Sequence, residues 1–144
     1  MPRAAPNSPC PCGSGSKYKK CCRRLHQGQP APTAEALMRS RYCAYALGLV
    51  DYVADTTHPA SPHAQPERRA WLADLQRFCA ATTFERLEVT AHEPGPHRAW
   101  VTFTAHLRQD GRPVPMTERS RFIRAGERWL YLDADSLPQQ THAR

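Results

Sequence analysis

Thirteen residues near the start of the chain, "CPCGSGSKYKKCC" from Cys10 to Cys22, constrain it more than any other stretch, because they hold four of its six cysteines in one short basic loop. Cys10 and Cys12 are separated by one residue and Cys21 and Cys22 by none, so a disulfide within either pair would close a very small, strained ring. Cross-pairing is allowed in principle, but it leaves the placement of Gly13, Ser14 and Gly15 unexplained. A metal knuckle uses them. Four sulfurs at about 2.3 Å from one ion form the closed tetrahedral site that structural zinc prefers. Glycine at 13 and 15 permits positive φ and presents N–H groups toward the sulfurs. Lys17 to Cys22 then closes the loop as a short helical turn. Cys10, Cys12, Cys21 and Cys22 are the expected ligands of one structural Zn2+. A four-thiolate site also binds iron; the compact spacing favours zinc. His26 could replace a cysteine, but four thiolates already fill the shell.

The loop is also where the charge sits. Residues 1–28 carry six basic side chains (Arg3, Lys17, Lys19, Lys20, Arg23, Arg24) and no acid, so they supply six of the seven formal positive charges of the 144-residue chain. Four thiolates around a divalent cation carry a net charge of −2, which leaves the segment at about +4. With the one aromatic Tyr18, the patch Lys17, Tyr18, Lys19, Lys20, Arg23 and Arg24 could touch an acidic protein surface or RNA. Charge alone gives nucleic acid only salt-sensitive, non-specific attraction, so nucleic acid is the lesser expectation. The plainest reading is a structural staple without a partner, in which metal binding supplies the folding energy of a segment with almost no core of its own.

The opening "MPRAAPNSP" has no apolar core for a secretion signal, and no run of about 18 apolar residues could span a bilayer. A cytoplasmic protein is expected, and in a reducing cytosol clustered cysteines are metal ligands more often than disulfides.

The knuckle pattern resembles the SEC-C motif, the zinc-binding tail of the preprotein translocase ATPase SecA: C-x-C, then S-G, a basic-aromatic-basic stretch, and C-C or C-H. The resemblance implies zinc on Cys10, Cys12, Cys21 and Cys22. It also implies an interaction module, because in SecA this tail contacts the chaperone SecB and the ribosome. None of the ATPase is present here.

The rest of the chain reads as one folded body. Forty per cent apolar and 23% charged residues are ordinary values for a globular protein. After a proline-rich connector over 29–33, Thr33 is a plausible N-cap with Glu35 in the first turn. Met38, Tyr42, Tyr45, Leu49 and Tyr52 recur at steps of four and three, one face of a helix, with Gly48 ending or bending it. A second helical pattern puts Leu72, Leu75, Phe78 and Cys79 on one face, with Pro66 in its first turn. From about residue 84 the period falls to two. "RAWVTFTAHLR" alternates Val101, Phe103, Ala105 and Leu107 with Trp100, Thr102, Thr104 and His106, and Asp110-Gly111 offers a turn. "RLEVTAHE", "ERSRFIRA" and "RWLYLDAD" complete an antiparallel meander. Helices followed by antiparallel strands give an α+β domain over 34–136, and 137–144 reads as a disordered tail.

This order resembles the nuclear transport factor 2-like (cystatin-like) fold, a cone of helices packed on a curved antiparallel sheet. "LMRSRYCAYALGLVDYVADTTHP" with "RFIRAGERWLYLD" resembles the YchJ family of bacterial proteins, which join an N-terminal SEC-C motif to such a domain. Many members carry a second SEC-C motif at the C-terminus; this chain runs to "SLPQQTHAR" without one, so a role that needs two knuckles is not expected.

Folds of this type often enclose a pocket between helices and sheet. Arg41, Tyr45, His58, His106, Glu118 and Asp133 are the candidates to line it, with Arg41 entering the cone to pair with Asp133 or Glu118. No pair of them forms a catalytic motif. Cys43 and Cys79 are expected as buried apolar thiols. The reading that results is a non-enzymatic zinc protein whose knuckle docks an acidic protein, chaperone or ribosomal partner, on a domain that could dimerise through its sheet. The alternative is a small-molecule binder or enzyme using the cone.

Overall fold

The computed structural model describes residues 4–137; most of the expected tail lies outside them. A 3-10 turn at Tyr18–Lys20 leads into α1 (Cys22–His26), and α2 (Ala34–Leu47), α3 (Val50–Asp55) and α4 (Arg68–Ala80) follow. The strands are β1 (Thr83–Glu93), β2 (Arg98–Gln109), the short β3 (Arg112–Pro113), β4 (Met116–Ala125) and β5 (Arg128–Ser136). They form one antiparallel sheet in the order β1-β2-β4-β5, with β3 also paired to β2.

Local chemistry sets the helix ends. The Thr33 side chain accepts from Ala36 N–H at 3.0 Å, and Gly48 closes α2 in the left-handed region at φ 73°, where a side chain would be strained. The chain restarts as α3 beyond that cap, so Leu49 is turned outward at 37% exposure instead of extending the apolar face. Pro66 precedes α4 rather than opening it; the cap is Glu67, whose carboxylate accepts from Ala70 and Arg69 N–H.

The period-two strand behaves as its pattern requires. Ala99, Val101, Phe103, Ala105 and Leu107 all point into the core, where Leu37, Met38 and Tyr42 of α2 meet them beside Phe122 and Trp129. Each fully buried large side chain of this kind contributes roughly 1.5–3 kcal/mol. The edge of β5 is covered: Tyr131 N–H donates to the Thr56 carbonyl at 2.8 Å, and His58 N–H donates to the Tyr131 carbonyl at 2.8 Å. Asp110 and Gly111, at φ 51° and 72°, make the expected turn after β2.

β5 contains one irregularity that matters for the cone. Arg121 pairs with Asp133 but Phe122 pairs with Tyr131, so Leu132 is an extra residue. This bulge reverses the alternation on β5 and sends Tyr131 inward but Asp133 outward.

Candidate metal centre

The four expected ligands converge. The Sγ atoms of Cys10, Cys12, Cys21 and Cys22 lie within 4.8 Å of one another, and a tetrahedron with 2.3 Å metal–sulfur bonds has edges of about 3.8 Å. Cys12 and Cys21 are already 3.6 Å apart. The loop is folded by its own backbone: Pro9 and Lys17 form an antiparallel bridge, and Cys10 N–H donates to the Ser16 carbonyl at 2.9 Å. Gly13 and Gly15 take φ of 80° and 91°, the role their spacing implied. Their expected N–H contacts to sulfur take another form: Gly13 N–H donates to the Cys10 carbonyl at 3.1 Å, and the Ser14 hydroxyl lies 3.1 Å from the Cys21 sulfur. The 3-10 turn and the start of α1 bring Cys21 and Cys22 in from the other side.

Cys10, Cys12 and Cys22 are buried and Cys21 is half-buried. Hydrogen bonds from Cys12, Cys22 and Cys43 hold the Cys10 thiol far below the usual range, whereas the same contact pushes Cys12 up to about 11 and drives Cys22 higher still. A cation bound by all four sulfurs would displace the protons they carry. Four soft, enclosed donors at this spacing fit zinc.

A fifth thiol stands behind them. Cys43 on α2 is fully buried, as expected, but its surroundings are not simply apolar: its Sγ is 4.0 Å from that of Cys10, in one cluster with Cys12, Cys22 and Tyr18. It lies outside the four-sulfur group. Cys43 lies 33 positions after Cys10, and nothing in the sequence pattern announced the contact. Cys79 sits elsewhere as an ordinary buried thiol, pushed up to about 11 by burial.

The knuckle is seated on the body by polar struts. The Tyr18 hydroxyl lies 2.9 Å from His26 Nδ1, and His26 Nε2 lies 2.9 Å from the Ser40 carbonyl. A carbonyl only accepts, so Nε2 carries the proton and Nδ1 accepts from Tyr18. Burial holds His26 below its ordinary value and raises Tyr18 to about 12. His26 is a strut and not a ligand. Arg39 donates to the Cys12 carbonyl at 2.9 Å while its Nε meets Glu35 at 3.0 Å.

The expected partner patch divides. Tyr18 is buried against the cysteines and faces the body. Lys17, Lys19, Lys20 and Arg24 are exposed and Arg23 is half-exposed. Among the described residues none of these five cations holds a carboxylate, whereas Arg39, Arg68, Arg77, Arg86, Arg108, Arg119 and Arg121 each do.

Helices and sheet enclose a cavity of about 360 Å³. Of the expected lining residues, Arg41, Tyr45 and Glu118 reach it. The other three do not. His106 is on the outward face of β2, 2.5 Å from Glu88. Asp133 is turned out by the bulge and binds Arg121 at 2.5 and 3.0 Å. His58 accepts from Ala60 N–H within its own turn at 3.0 Å. His63, Tyr42, Phe78 and Phe84 line the cavity instead. The expected ion pair of Arg41 is absent among the described residues: its guanidinium donates to the Val53 carbonyl and to Thr56 and Thr57 hydroxyls at 2.8–3.1 Å.

The chain matches two family models, the SEC-C motif over residues 7–24 and the "YchJ, middle NTF2-like domain" over 33–134. It is 42% identical over 130 residues to a UPF0225 protein of Deinococcus radiodurans, covering 90% of each chain. A UPF0225 protein of Cupriavidus pinatubonensis is 44% identical over 144 residues, covering 94% of this chain and 93% of that one. The solution structure of a SEC-C motif containing protein from Rhodopseudomonas palustris superimposes with a TM-score of 0.76 at 34% identity, over 91% of this chain and all of the other. No helix among the described residues is long and apolar enough to cross a membrane.

Proposed function

The chain belongs to the YchJ-type UPF0225 family, and from that premise and its cysteine geometry we propose that it is a non-enzymatic zinc protein. Its basic knuckle docks an acidic surface on a protein or ribosomal partner in the cytoplasm. The observation that carries the docking half is the set of five cations on residues 17–24 that hold no carboxylate, on a segment without acids. Unpaired, exposed charges of one sign accelerate and orient encounter with a complementary surface. The metal fixes the loop that displays them, so docking depends on zinc without zinc touching the partner.

The face of the sheet away from the helices carries Trp100, with the Arg119 guanidinium 3.7 Å above its ring and Arg121 at 5.4 Å. Pairing of two copies through this face belongs to the same proposal, and sedimentation velocity over a concentration series checks it.

The docking test uses the full zinc-loaded chain in cosedimentation with purified bacterial ribosomes and in titration with a purified acidic chaperone. Binding should weaken steeply between about 50 and 200 mM salt and be lost in Lys19→Glu/Lys20→Glu and in Cys21→Ser. Binding to naked ribosomal RNA as tight as to the ribosome would replace the protein partner with nucleic acid. Binding to none of the three, or binding indifferent to the charge reversal, would sink the proposal.

A further inference from the structure

The buried cation in the cone has an unfilled side. Arg41 is 8% exposed and spends its Nη1 hydrogens on Val53, Thr56 and Thr57. Tyr131 covers one face of the guanidinium, 4.5 Å from Cζ to ring centre. Among the described residues neither Nε nor Nη2 has an acceptor, and no carboxylate lies within ion-pairing distance, although the side chain lines the cavity. A second polar group there is also unspent: the Tyr42 hydroxyl is buried without any hydrogen-bond partner. Nε and Nη2 open onto the cavity, and a guanidinium edge made of these two nitrogens matches the two oxygens of a carboxylate.

We propose that the cone binds a small amphipathic monocarboxylate, its carboxylate on the free edge of Arg41 and its apolar body among Phe78, Phe84, Phe103 and Leu107. The volume of about 360 Å³ falls in the range of small-ligand sites. His63, Gln65 and Asp74 are exposed lining residues and mark the entrance, while Phe103, Ala105, Leu107 and Phe122 are buried and form the floor. Glu118 shares the chamber, and burial raises its carboxyl above the ordinary range. The aromatic walls are mutually braced: Phe78 meets Phe84 and Tyr45 edge-on at 6.0 and 5.7 Å between centroids. This site goes beyond the docking role of the knuckle and stands without it.

The test is a chemical-shift titration of the full zinc-loaded chain with 3-phenylpropionate and, in parallel, with the neutral 3-phenylpropionamide. The acid should bind at least about tenfold tighter than the amide, with shifts concentrated at Arg41, Tyr45, Phe78 and Glu118. Arg41→Gln should bring acid and amide to similar weak affinity, and Leu75→Trp, which fills the chamber from α4, should abolish both. Equal affinities in the wild type, shifts outside the cavity, binding that survives Leu75→Trp, or no binding of either compound would overturn the site. If Arg41→Gln does not fold, the wild-type comparison and Leu75→Trp still decide the matter.

Discussion

The hydroxyl of Tyr18 donates to Nδ1 of His26 across 2.9 Å, and the same imidazole donates from Nε2 to the Ser40 carbonyl on α2. One neutral ring thereby ties the metal loop to the domain, with Tyr52 edge-on at 4.7 Å. Removing it in His26→Ala leaves the buried Tyr18 phenol without its acceptor, and we expect a loss of about 1–3 kcal/mol in urea unfolding.

The same ring sets a pH dependence. Burial depresses its folded pKa, so just below the ordinary value of about 6.5 the unfolded chain binds a proton that the folded one refuses. Its contribution is complete above that value and declines as the pH falls beneath it. Thermal unfolding of wild type and His26→Gln between about pH 5 and 8 should show the wild type losing its advantage on the acid side.

Cys43 should prove to be a packing residue and not a ligand. Inductively coupled plasma mass spectrometry should find one zinc per chain in wild type and in Cys43→Ala, and none in Cys21→Ser. Cys43→Ala should still cost about 1–2 kcal/mol, because the sulfur fills a fully enclosed space between α2 and the knuckle.

Phe122 is 1% exposed and forms part of the cavity floor. Phe122→Ala should destabilise by about 3–5 kcal/mol in urea unfolding and leave the metal content unchanged.

Asp133 and His106, both on the outward face, should be dispensable. Asp133→Asn removes a half-exposed ion pair with Arg121 and should cost less than about 1 kcal/mol. Neither Asp133→Asn nor His106→Ala should alter metal content or 3-phenylpropionate titration curves.

The parts legible from sequence were those governed by local rules. Spacing and glycine placement disclosed the four-cysteine cluster, the Thr33 cap marked the start of α2, and strict alternation identified the core face of β2. The failures came where distant chain segments decide. Asp133 and Tyr131 would share a face on a regular strand, and only the extra residue in β5, a product of pairing with β4, separates them. Cys43 reads as an isolated apolar thiol until α2 is laid against the knuckle. Tyr18 looked like the aromatic member of a contact surface because its neighbours are lysines; its ring turns inward to His26, a partner eight residues on.

From Ala34 to Leu47 every residue of α2 is buried or half-buried. Ser40 and Cys43 receive the knuckle, while Met38, Arg41, Tyr42 and Tyr45 line the cone. These fourteen residues are a party wall between two tenants, so each substitution there must satisfy both sides. Drift acceptable to one is vetoed by the other, and this helix should be the slowest part of the body to change.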